Sequence, residues 1–181
     1  YRENEPMGGY DPYSSSKGAA EIAISSWRRS FFNPADYGKK HHVSLASVRA
    51  GNVIGGGDWA LDRIIPDCIK SIEAGEPIAI RNRTAVRPWQ HVLEPLSGYM
   101  LLTTKMWDNP TKYCEGWNFG PRAESISTVW EVASKLAVSY GRGELKDMSD
   151  PNAVHEANLL MLDISKAKFK LGWEPRMNID Q

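Results

Sequence analysis

Tyr13 and Lys17 stand four residues apart in Tyr13-Ser14-Ser15-Ser16-Lys17, ahead of a helical pattern, so both side chains can lie on one helix face. That pairing suits a phenolate base. A free tyrosine, with a pKa near ~10, is a poor base at neutral pH, and a nearby ammonium favours its ionised form. Bringing the value down to about 7 requires about 4 kcal/mol of differential stabilisation. An exposed lysine alone supplies less, so a second positive group, for which an oxidised nicotinamide would serve, is expected nearby. The same spacing also describes an ordinary solvated helix start, the commoner case for an isolated Tyr-x-x-x-Lys.

The elements that must position this pair alternate between helices and strands. Residues 1–12, rich in Glu, Pro, Gly and Asp, read as a loop leading into a helix from about Ser14 to Phe31. Ile22, Ile24 and Trp27 supply its apolar groups, and Arg28 and Arg29 suit the negative pole of its dipole. After a polar connector over 33–42, Val43 to Arg49 predicts a parallel-sheet strand ending at a glycine-bearing loop, Ala50 to Trp59. Ligands of open α/β sheets bind beyond the carboxyl ends of strands, so a substrate is expected at this loop. Its glycines allow close backbone approach and Asn52 offers donors and an acceptor, although a plain surface turn would use the same residues.

Ile64, Ile65, Cys68, Ile69 and Ile72 have helical spacing and read as core, with Pro66 in the first turn and Gly75 as the stop. Arg63, just before them, either meets a phosphate at the helix N-terminus or is solvated. Pro77 to Asn82 reads as a short strand. Arg81, Arg83 and Arg87 then gather within seven residues beside Trp89, a set suited to a diphosphate and a stacked base, or else to a solvated basic loop. Leu93, Leu96, Met100 and Trp107 predict a buried helix over Val92 to Trp107, and His91 before it either bonds a ligand or anchors that helix. Trp117 to Gly120 reads as a strand in which Asn118 either holds a substrate or caps a turn. Thr128-x-x-Glu131 has capping-box spacing ahead of a helix closed by Gly141, and Asp163 is placed to cap Ile164 to Leu171, with Gly172 as its stop. His41-His42 reads as a solvated pair, since adjacent histidines point apart and no partner has ligand spacing.

Twenty-two basic and twenty-two acidic side chains among 181 residues leave no net charge, which removes bulk electrostatics as an argument for nucleic acid or an anionic membrane. A chain of this length can bury about 70% of its unfolded surface. Cys68 and Cys114 form no disulfide or metal pattern. No apolar run approaches the roughly 18 residues of a membrane span and no leader pattern is present, in keeping with a soluble cytosolic protein.

Six segments occur in a telling order: Tyr1 to Pro6, Tyr13 to Lys17, Arg49 to Trp59, Arg87 to Val92, Trp117 to Pro121 and Leu171 to Pro175. Together they resemble the extended short-chain dehydrogenase/reductase family. The resemblance runs along nearly the whole chain, and Gly51 to Trp59 and Arg87 to Pro95 are its most specific parts. It implies an α/β fold: the C-terminal part of a Rossmann-like doubly wound parallel sheet with a smaller α/β substrate-binding lobe. Residues 1–60 would belong to the NAD-binding domain and 61–181 mainly to the lobe, with 77–108 open to returning to the main domain.

No G-x-G-x-x-G or G-x-x-G-x-x-G occurs, and Gly55-Gly56-Gly57 lacks that spacing. The chain is therefore expected to be part of a longer enzyme whose cofactor loop, Ser/Thr and second acid/base pair lie upstream, and to be inactive alone. The resemblance implies NAD as cofactor, met by Tyr13, Lys17 and the backbone of Val53. It implies a CDP-sugar substrate, CDP-glucose foremost, met by Asn52, Arg63, Arg87, His91, Asn118 and His155, with Glu156 beside the last. Tyr13 would take the C4 hydroxyl proton while hydride passes to NAD, water would leave across C5 and C6, and hydride would return to C6. A homodimer through the Tyr13 helix is implied, and neither nucleic acid nor membrane is a partner. An epimerase or decarboxylase of the same family and a noncatalytic sugar-nucleotide-binding lobe stand as alternatives.

Overall fold

The computed structural model describes residues 1–60, 62–150 and 160–181. Its elements in chain order are α1 (Pro12–Ser30), β1 (Ser47–Ala50), β2 (Asn52–Ile54), α2 (Ile64–Ala74), β3 (Ile78–Ile80), β4 (Val86–Arg87), β5 (Trp89–His91), α3 (Leu93–Asp108), β6 (Gly116–Phe119), β7 (Ser127–Thr128), α4 (Val129–Tyr140) and β8 (Leu145–Asp147). The chain forms two compact units that interleave along the sequence. Unit 1 comprises Tyr1–Ala50, Pro95–Phe119 and Leu162–Glu174, and unit 2 comprises Gly51–Glu94, Gly120–Met161 and Pro175–Gln181.

In unit 1, α1 starts two residues before the expected Ser14, because the Asp11 carboxylate accepts the Ser14 amide at 2.9 Å and Pro12 fits the first helical position. None of its residues is buried, so the apolar groups of Ile22, Ile24 and Trp27 form no core face. Polar ties hold it instead: Glu21 to Arg49 at 2.8 Å and to the Ser47 hydroxyl at 2.9 Å, and Arg28 Nε to the Leu45 carbonyl at 2.9 Å.

The strand expected over 43–49 is confined to β1. Upstream of it, the Val43 amide donates to His41 Nδ1, a local partner in place of a ladder bond, and the Ser44 hydroxyl donates to the distant Pro110 carbonyl. β1 pairs in parallel with β6, Ser47 opposite Gly116 through Ala50 opposite Phe119.

The helix read from Leu93, Leu96, Met100 and Trp107 is present as α3, but those four side chains are 43–86% exposed rather than buried. The helix packs on another stripe, where Leu102, with Tyr99, Leu101 and Met106, meets Tyr113, Trp117, Phe119, Ala167, Leu171 and Trp173. Gly98 decides the face. A Cβ there would lie 2.3 Å from the Phe119 ring, so only glycine lets the helix backbone come this close. Phe119 in turn meets Trp173 edge-on at 4.9 Å and Tyr99 at 5.4 Å, and the Trp173 indole donates to Ser97 Oγ at 2.9 Å.

Unit 2 packs α2 and α4 together around Cys68, Ile72, Ala133 and Ala137, with Ile78 and Ile80 of β3 completing the cluster. Burial pushes the Cys68 thiol up to about 11, so it is an inert core group. β3 runs parallel to β8, and β4 antiparallel to β7. The loop expected over 50–59 contains β2, which runs parallel to β5. The capping box of α4 is formed in both directions, Glu131 amide to Thr128 Oγ1 at 3.1 Å and Thr128 amide to Glu131 Oε2 at 2.7 Å. α2 and α4 stop at left-handed Gly75 and Gly141. Among the described residues no helix is long and apolar enough to cross a membrane.

Replacing Gly98 by Ala should destabilise the protein by about 1–3 kcal/mol, the range for overpacking a filled core. Urea denaturation measures this, and a Gly98→Ala protein as stable as the parent would show that α3 and Phe119 are not in close contact.

Candidate active site

Tyr13 is the second residue of α1 and 68% exposed, and Lys17 follows one turn later with its Nζ 5.4 Å from the centroid of the Tyr13 ring. The two therefore share a helix face, as the spacing requires. The turn is rigidly built. Ser14 donates through both its amide and its hydroxyl (2.6 Å) to Asp11, bonds that hold that carboxyl below its usual range, and the Ser16 hydroxyl bonds the Tyr13 carbonyl at 2.7 Å. Gly9 lies directly on this turn: a Cβ there would be 2.3 Å from the Ser15 nitrogen, and Ser15 Oγ donates to the Gly9 carbonyl at 3.2 Å.

Asn118, also in unit 1, is 1% exposed. Its Nδ2 donates to the Tyr1 carbonyl at 3.0 Å and the Asp163 carbonyl at 3.3 Å, which leaves neither amide hydrogen for a ligand, while Oδ1 is buried without a partner among the described residues. Asp163 caps the following segment through the Ser165 amide at 2.8 Å and pairs with Arg2 at 2.9 Å. The hydroxyl and amide of Ser165, with Arg2, hold its carboxyl down at about 2.

In unit 2, the β2–β5 pairing sets Asn52 level with Trp89, Val53 with Gln90 and Ile54 with His91. Asn52 is half-buried and Val53 exposed. Arg87 is buried in β4 and its Nη1 bonds the Val86 carbonyl at 2.9 Å. Arg63 is exposed at the N-cap of α2 with no side-chain capping bond. His91 accepts the Leu93 amide on Nδ1 at 3.2 Å and so anchors the start of α3. Arg83 lies 4.9 Å over the Trp130 ring and pairs with Asp147, and Arg81 pairs with Asp62. The His41 ring is engaged on both nitrogens, by the Asn33 carbonyl and the Val43 amide. His155 and Glu156 lie outside the described residues.

Sequence reasoning gave no role to Glu3, Glu21 or Arg49. Trp89, read as a ring for a stacked base, is buried, and its Nε1 has no partner among the described residues. Arg49 carried a readable signal, since a cation in a strand with apolar neighbours needs a carboxylate. Burial raises the Glu21 carboxyl, but the bonds from Arg49 and Ser47 and the charges of Arg49 and Arg28 outweigh it and hold the group below its usual range.

A family model described as GDP-mannose 4,6 dehydratase matches residues 1–181. The chain belongs to that family. It is 54% identical over 181 residues to a CDP-glucose 4,6-dehydratase of Salmonella typhimurium, covering 100% of this chain and 50% of that protein. The chain spans about half the length of the curated relatives it matches. Its fold superposes with TM-score 0.77 on a dTDP-glucose 4,6-dehydratase of Bacillus anthracis in complex with NAD, at 20% identity, covering 100% of this chain and 52% of that one. A UDP-glucose 4-epimerase of Thermotoga maritima with UDP-glucose gives the same TM-score at 21% identity, covering 99% and 53%. The member of the GDP-mannose 4,6 dehydratase family described here thus has the Rossmann-like α/β fold of these sugar-nucleotide enzymes, with three parallel strand pairs and one antiparallel pair among its described residues.

The Asp163 carboxyl of this family member gives a pH test. Its folded value is depressed, so the stability it contributes is present above its unfolded value near ~3.9 and is lost as pH falls through about 2. Melting curves from pH 5 to pH 2 should fall more steeply for the parent than for Asp163→Asn, which keeps an acceptor for Ser165 and has no charge to lose. Parallel curves would show that the carboxylate is not stabilising.

Proposed function

We propose that this chain supplies the tyrosine base, its lysine partner and part of the substrate site of an NAD-dependent hydro-lyase that converts CDP-glucose to CDP-4-dehydro-6-deoxyglucose. The observation that carries the reading is the Tyr13–Lys17 turn, both groups exposed on one face of α1 with the ammonium 5.4 Å from the ring centroid. The 54% identity to a CDP-glucose 4,6-dehydratase selects the sugar nucleotide. The donor set fits a nicotinamide nucleotide: a lysine free to reach a ribose hydroxyl and a phenol beside it. NAD when bound would take hydride from the sugar C4 and return it to C6.

Tyr13 Oη accepts the proton of the C4 hydroxyl, with the Lys17 ammonium beside it on the same face of α1. Asn52, Arg63 and Arg87 are assigned to the diphosphate and sugar, and the backbone of Val53 to the nicotinamide side. His91 and Asn118 are assigned to holding backbone, by the bonds they make. Residues 1–60 would complete the cofactor domain and most of 61–181 the substrate lobe. The protein is assigned as a homodimer joined through α1, a helix with no fully buried residue that exposes Ile22 and Trp27, with Phe31 exposed just past its end.

The test uses the protein extended to the full length of its curated relatives. With CDP-glucose and NAD the product should lack one water. A product of unchanged mass would replace dehydration with epimerisation, and binding without turnover would leave a noncatalytic lobe. Tyr13→Phe should lower kcat by about 10²–10⁴-fold with KM nearly unchanged; equal turnover would remove Tyr13 from the chemistry. Trp27→Glu should convert a dimer to a monomer in light scattering, and a retained dimer would move the interface away from α1.

A further inference from the structure

Arg49 and Asn118 face each other in the parallel register of β1 and β6, and both reach the first three residues. The Asn118 amide donates to Glu3 Oε1 at 3.0 Å, and its Nδ2 to the Tyr1 carbonyl at 3.0 Å. The Asp163 amide donates to the same carbonyl at 2.9 Å, and Arg2 closes the ring onto the Asp163 carboxylate. Arg49 makes the second attachment. Its Nη1 reaches the Glu3 carbonyl at 3.4 Å and its Nη2 the Glu21 carboxylate at 2.8 Å, so one guanidinium touches both the entry loop and α1. Downstream, the loop is seated on the helix at Gly9 and Ser15 and caps it through Asp11.

We propose that Arg49 and Asn118 are positioning residues for Tyr13, fixing α1 against the ends of β1 and β6 from the loop side and the helix side at once. The inference rests on the reading of Tyr13 as the base. α1 buries no side chain, so core packing does not lock its roll about its own axis. Besides the Ser47–Glu21 and Arg28–Leu45 bonds, the lock is the fork of Arg49, which alone of these ties also reaches the entry loop. A 10° roll moves a group ~6 Å from a helix axis by ~1 Å, and a misplacement of that size costs about 10²-fold in rate. A lysine at position 49 can satisfy Glu21 or the Glu3 carbonyl but lacks the planar fork that joins them.

The experiment is steady-state kinetics with CDP-glucose and hydrogen exchange, on the same full-length protein and its variants. Arg49→Lys and Glu3→Ala should each lower kcat by about 10–100-fold, with KM within about twofold and faster exchange confined to residues 8–16. Glu3→Gln keeps the acceptor for the Asn118 amide and should restore both readouts. Parental exchange at 8–16 in Arg49→Lys would overturn the proposal, as would faster exchange there with unchanged kcat. Faster exchange throughout the protein would also overturn it, by marking a merely structural role. If the parent binds CDP-glucose without turnover, the catalytic reading fails by itself, and exchange at 8–16 still decides whether the fork holds the loop.

Discussion

The ion pair between Glu21 and Arg49 joins a helix with no buried residue to the strand pair at the centre of unit 1. Helices in water are marginal below about 12–15 residues and depend on tertiary packing of one face. α1 is 19 residues long, long enough to persist with polar ties in place of that packing. The pair is about one-fifth exposed on each side, so it is screened far less than a surface bridge. The Ser47 hydroxyl on the same carboxylate oxygen adds a neutral bond that a mobile surface pair would lack. Loss of either partner would strand a partly buried charge, which is why such pairs constrain position more than they add stability.

Below this attachment the aromatic cluster of Trp117, Phe119 and Trp173 gives β6 its rigidity. Strand residues alternate faces, so Trp117 and Phe119 go to the core together while Asn118 between them is turned to the first residues of the chain. An asparagine at that position must find partners for its amide because it is excluded from water, and two main-chain carbonyls serve. Aromatic packing on one face thus dictates a polar clamp on the other. The Lys166 ammonium over the Trp117 ring, at 4.5 Å, closes the same layer and pairs with Glu115.

Unit 2 is built on a different principle. Its helices carry real apolar faces, and Cys68, Ile72, Ala133 and Ala137 bring α2 and α4 close because small residues alternate with large ones. The short strands β2 and β5 then display Asn52 and Trp89 side by side at the edge where the glycine-bearing segment begins. A Cβ on Gly51 would lie 2.6 Å from the Pro88 ring, so this edge tolerates no side chain at that position. The polar side chain of Asn52 is thereby carried on paired backbone rather than on a free loop.

Local chemistry was readable wherever a short-range rule governs it. The Thr128–Glu131 box, the stops at Gly75, Gly141 and Gly172, the α2 core positions Ile64, Cys68 and Ile72, though not Ile65 and Ile69, and the shared face of Tyr13 and Lys17 all follow from neighbours within a few residues. Long-range choices were not readable. Periodicity offered Leu93, Leu96, Met100 and Trp107 as the buried stripe of α3, but Gly98 and Phe119, 21 residues apart in sequence, turned another stripe inward. The strand inside the glycine-bearing segment exists only because β5 lies beside it. Asn118 and Arg49 acquired their roles from the β1–β6 register, which no local pattern encodes. By itself the sequence determined the kinds of element and the candidate tyrosine base, since these depend on residue type and spacing. Tertiary structure decided which faces are buried and which polar groups are already engaged, because those depend on contacts between segments far apart in the chain.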